Sequence, residues 1–106
     1  MITVTIFKNG DKLRGFSVTD HSDFSQDGAD IVCSAVSSAV QLTANGVTEV
    51  AGATADVHVD EEAAIITLKT DSDDRAVQML IKSFSLHMEI LSEDYEENIK
   101  YSILEV

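Results

Sequence analysis

Apolar residues in this chain recur first at every second position and then at every third and fourth, and the pattern switches more than once. A period of two suits a strand with one buried face, and a period near 3.6 suits a helix with one buried stripe. A chain that alternates between them must supply both a sheet and the helices that cover it. Ile2, Val4 and Ile6 alternate with Thr3 and Thr5. Lys8 to Lys12 then turns the chain, because Asn9-Gly10 tolerates the positive φ of a tight hairpin. Leu13 to Val18 reads as the returning strand, and Thr19 to Ala29 as a polar loop of the long kind that often carries function.

Asp30 is expected to cap a helix over residues 31–45. Val32, Ala35, Val36, Ala39, Val40 and Thr43 form its stripe, and Asn45-Gly46 is its expected stop. Residues 55–59 and 63–69 read as two strands around the acidic turn Asp60-Glu61-Glu62. The run from Thr70 to Arg75 opens a second helix, with acids at the positive end of its dipole. Val77, Leu80, Ile81, Phe84, Met88, Leu91 and Tyr95 share its apolar face, and residues 98–106 close the chain as a strand. The order is ββαββαβ. The expected fold is α+β, a largely antiparallel sheet with two helices packed on it, as one domain over residues 1–106.

Composition narrows the function classes. Apolar residues make up 44% of the chain, too many for a disordered acidic tail. No uninterrupted apolar run approaches the roughly 18 residues of a membrane span. The start, MITVTIFKNG, reads as a strand rather than a signal peptide, so a cytoplasmic location is expected. One cysteine allows no intrachain disulfide and no paired-cysteine zinc site. With 19 acidic and 7 basic residues the net charge is −12, which disfavours direct contact with nucleic acid phosphates. It favours a basic partner, and it equally suits an acidic surface that only keeps the protein soluble.

Cys33 is the residue with two readings. A free cysteine often packs as a small hydrophobe. Counted at about 100° per residue, however, Cys33 stands at the edge of the first helix's stripe, on the side of Ser37. With Asp30 as cap it is the third helical residue, where unpaired backbone N–H groups and the helix dipole favour thiolate. The same N–H groups can serve as an oxyanion hole. The Asp30 charge opposes ionisation unless its carboxylate is engaged elsewhere. His21, twelve residues upstream, is the one histidine in the loop leading to this helix. His58 reads as a solvated strand residue and His87 as a rim residue of the second helix. No metal-ligand spacing is present, and the acidic clusters lack the spacing of a calcium loop. No metal or cofactor is expected.

The run Gly28-x-Asp30-Ile31-Val32-Cys33-Ser34-Ala35-Val36-Ser37, with His21 upstream, resembles the ribosomal-processing cysteine proteases called Prp. The likeness extends to the length, the Met-Ile-Thr-Val start, the element order and the acidic Tyr95 to Ile99 segment. It implies a cysteine endopeptidase that removes the N-terminal extension of a large-subunit ribosomal protein. On that model Cys33 is the nucleophile and His21 the general base, with Asp30 and Ser37 in supporting positions. The resemblance also implies a homodimer. Asp20 and Ser22 stand where the family has glycine and alanine, and with Gly28 they belong to the expected substrate loop. Two other functions compete. One is a non-catalytic acidic binding module of the ribosome, with Cys33 merely packed. The other is a redox thiol protein, which lacks a second, resolving cysteine.

Overall fold

The computed structural model describes residues 1–20 and 29–106, with side chains from residue 31 onward in the second stretch. Five strands and two helices follow the expected order: β1 (Ile2–Asn9), β2 (Lys12–Asp20), α1 (Ala29–Asn45), β3 (Asp56–Asp60), β4 (Ile65–Lys69), α2 (Arg75–Asp94) and β5 (Ile99–Glu105). The sheet order is β3-β4-β2-β1-β5, antiparallel except where β5 lies parallel to β1.

The alternation in β1 is the reason for its register. Ile2, Val4 and Ile6 all point to one face and are buried there. Phe16 and Val18 of β2, Leu68 of β4 and Ile99 of β5 share that face, and α1 and α2 cover it with Val32, Val36, Val40, Phe84 and Met88. The Phe16 and Phe84 rings lie 4.3 Å apart at 33°, joining sheet to α2. Each such fully buried side chain contributes about 1.5–3 kcal/mol relative to exposure. A second cluster, Val47, Val77 and Ile81, sits beyond the first. Gln78 ties α2 to β2: its Oε1 accepts from the Leu13 N–H at 2.8 Å, and its Nε2 donates to the Leu13 carbonyl at 2.9 Å.

Several boundaries differ from the sequence reading. α1 ends at Asn45, as expected, but the chain does not leave the helical path there: it continues as a π-helical turn over Gly46–Val50, and the Ala51 N–H donates to the Gly46 carbonyl at 2.8 Å. Gly46 serves packing, since a Cβ there would sit 3.2 Å from the Leu80 methyls. The left-handed glycine beyond the helix is Gly52, at φ +67°. Tyr95 follows α2 and is exposed rather than on its buried stripe. Ile31–Val50 is apolar enough, at mean hydropathy 1.2, to cross a membrane by length and composition. Its stripe of Val32, Val36, Val40 and Thr43 is buried against the sheet, as in a core helix.

Candidate active site

The loop expected over Thr19 to Ala29 is shorter at both ends. Thr19 and Asp20 complete β2, and Ala29 already belongs to α1. The reason lies in pairing. Asp20 stands opposite Ile2 in the β1–β2 ladder, and its N–H donates to the Ala64 carbonyl at 2.9 Å. That carbonyl is presented by a left-handed backbone, Ala64 having φ +54°, a conformation that costs an alanine about 1–2 kcal/mol. The β3–β4 turn thus fixes the end of β2.

The helix start also corrects the position of Cys33. Because α1 begins at Ala29, Asp30 stands inside the first turn rather than at the cap, and Cys33 is the fifth helical residue, two further in than expected. The four unpaired N–H groups of a helix start belong to the residues before Cys33. Any oxyanion hole built on α1 would therefore use those earlier groups and not the N–H of Cys33.

Alternation along β2 carries Phe16, Val18 and Asp20 to the helix-covered face. There the Cys33 thiol donates to Asp20 Oδ2 at 3.3 Å. Asp20 Oδ1 is buried with no hydrogen-bond partner among the described residues. Cys33 is half-buried, at the edge of the core cluster, as its angular position on the helix predicts.

Both side chains open into a cleft of about 260 Å³. Its floor is apolar, from Ile2, Val18, Val36 and Ile66. Ser37, one turn after Cys33, lines it from α1, and Val59, Asp60, Glu61, Ala64 and Ile65 form the far wall. The described lining residues include three acids and no Lys or Arg. A half-buried thiol on such a wall can meet an extended chain lying in the cleft. A larger groove, about 970 Å³, lies at the opposite end of β2 around Arg14, Lys69 and Thr70. Its described lining residues include no cysteine or histidine, whereas the smaller cleft holds the thiol of Cys33.

Of the residues singled out in the sequence, the structure brings Cys33, Ser37 and Asp20 together. His21, Ser22 and Gly28 lie outside the described residues, as does the side chain of Asp30. His58 and His87 are exposed. Among the described residues no three His, Cys, Asp or Glu side chains converge as a metal site. Sequence reading assigned Asp20 to the loop and missed its contact with Cys33, although the Phe16, Val18, Asp20 alternation held the signal. The far wall had no signal, because it depends on which strands pair.

The curated protein "Ribosomal processing cysteine protease Prp" of Bacillus subtilis (strain 168) is 28% identical over 107 residues, covering 94% of this chain and 95% of that protein. The crystal structure of SMU.848 from Streptococcus mutans superposes with a TM-score of 0.90 at 27% identity, covering 100% of this chain and 96% of that one. The ribosomal processing protease Prp from S. aureus, solved with a substrate peptide, has a TM-score of 0.88 at 22% identity and covers 98% of this chain and 100% of that one. The model of the family described as "Cysteine protease Prp" matches residues 1–100, and the chain belongs to that family of cysteine proteases.

Proposed function

We propose that this protein is a cytoplasmic cysteine endopeptidase, a single domain over residues 1–106, that removes the N-terminal extension of a large-subunit ribosomal protein. Cys33 is the nucleophile and His21 the general base. The observation that carries the reading is Cys33 itself: a half-buried thiol on the wall of a cleft, in a chain of the Prp family. Supporting it, His21 is the next residue along the chain from Asp20, whose carboxylate meets Cys33 Sγ.

In the proposed sequence His21 takes the Cys33 proton, and the sulfur attacks the scissile carbonyl carbon to form a tetrahedral oxyanion. As the C–N bond breaks, the imidazolium returns the proton to the leaving amine, and a thioester remains on Cys33. His21 then deprotonates a water that attacks the thioester. The acid product leaves as the sulfur departs and is reprotonated. Unpaired N–H groups at the start of α1 are suited to hold the oxyanion. A basic ribosomal substrate also fits the −12 charge, through long-range attraction. Asp30 and Ser37 support the site, and the active form is a homodimer.

The test is intact-mass spectrometry of the host's large-subunit protein, bearing its extension, after incubation with wild type and with Cys33→Ala. One cut by the wild type alone is the expected result. Cleavage by Cys33→Ala would sink the assignment of the nucleophile. Binding with no cut by either protein would favour the binding module. Sedimentation of the same preparation reads the dimer, and a monomer at micromolar concentration would refute that part.

A further inference from the structure

Asp20 is held from two sides, by its pairing with Ile2 and by the N–H bond to the Ala64 carbonyl. Its backbone is therefore fixed at the position from which the carboxylate meets the sulfur. The direction of the contact fixes its chemistry. An ionised carboxylate only accepts hydrogen bonds, so the 3.3 Å contact is a hydrogen bond only while the sulfur carries its proton. Ionised, Cys33 would set a second negative charge against one whose other oxygen is already buried with no hydrogen-bond partner among the described residues. Like charges in contact disfavour the ionised form.

Among the described residues, which do not include His21, the remaining charged groups at the cleft do not offset this. Asp60 at the end of β3 and Glu61 in the turn after it carry the same sign. The described lining residues of β1, β4 and α1 carry no charge: Ile2, Ile65, Ile66, Val36 and Ser37. The start of α1 opposes Asp20, but a helix N-terminus is equivalent to about half a positive charge. It also lies a turn before Cys33. A full charge in direct contact outweighs it.

We propose that Asp20 is a positioning residue that holds Cys33 in its thiol form at rest, so that the sulfur ionises when this carboxylate is drawn away or neutralised. Oδ1, without a hydrogen-bond partner among the described residues, suits a donor arriving with substrate, such as a peptide N–H. The consequence for cleavage rests on Cys33 being the nucleophile. The contact itself can be read without any substrate.

The experiment is alkylation by iodoacetamide across pH 5–10, followed by intact mass. Cys33 is the one cysteine in the chain, so each adduct reports this sulfur alone. Asp20→Asn keeps the shape and removes the charge. Its alkaline rise is expected at least about one pH unit below that of wild type, or roughly tenfold faster alkylation at pH 7, because thiolate is the reacting form. Where Asp20→Asn does not fold, Asp20→Gly is read by the same criterion. A profile that superimposes on wild type, or moves to higher pH, would overturn the proposal. Peptide cleavage is scored separately, so a failure of this contact and a failure of the protease reading give different results.

Discussion

Replacing Gly15 by alanine should cost most of the stability of this protein, whereas the same change at Gly10 should cost little. Both glycines have positive φ, +140° and +60°, but their surroundings differ. A Cβ on Gly10 meets nothing within 4 Å, and an alanine there pays only for left-handed backbone, about 1–2 kcal/mol. A Cβ on Gly15 would sit 1.8 Å from the Leu68 carbonyl oxygen and 2.8 Å from its carbon. Both obstacles are backbone, so no side chain can rotate away. The strands must part by more than 1 Å, which takes nearby N–H···O bonds out of range. The β2–β4 ladder starts at this point, with Gly15 opposite Lys69 and Phe16 opposite Leu68. Losing two buried bonds there costs about 2–5 kcal/mol once the stranded groups are counted. Alanine held at φ +140° adds about 1–3 kcal/mol. The expected loss, about 3–8 kcal/mol, is comparable to the whole stability of a small domain. Urea unfolding followed by far-ultraviolet circular dichroism measures both variants. A Gly15→Ala protein no less stable than Gly10→Ala would refute the reasoning.

Two further outcomes are expected. Gln78→Ala removes the side chain that bonds Leu13 on both its N–H and its carbonyl, and also the Ser72 carbonyl at 3.0 Å. It should cost about 2–4 kcal/mol, with Gln78→Glu intermediate because it keeps the acceptor, as read by the same urea unfolding. Ser37→Phe places a ring in the 260 Å³ cleft from a partly exposed helix position. It should lower kcat/KM for peptide cleavage at least about tenfold by blocking the near-attack geometry, while Tm moves by only a few degrees.

What could be read from the sequence divides along a physical line. Periodicity is local, so the strand-and-helix order and the buried stripe of α1 followed directly from it: Val32, Val36, Val40 and Thr43 are all buried. The edge position of Cys33 followed too, because angle around a helix is fixed by residue number. Element ends were less legible, because they depend on partners distant in sequence. The α-helix stops at Asn45-Gly46, yet the chain winds on as a π-helical turn in which Gly46 accommodates Leu80 from another helix. Thr19 and Asp20 looked like loop, yet Ile2 and Ala64 claim their backbone. The site lies where such distant claims meet. Cys33 comes from a helix, Asp20 from a strand end, and the far wall from the β3–β4 turn. A local motif can supply the cysteine, but only the pairing of β2 with β1 and β4 decides what faces it. The acid that faces Cys33 is therefore a property of the fold as much as of the motif. A protein with Cys33 intact and the end of β2 displaced would keep the motif and lose that contact.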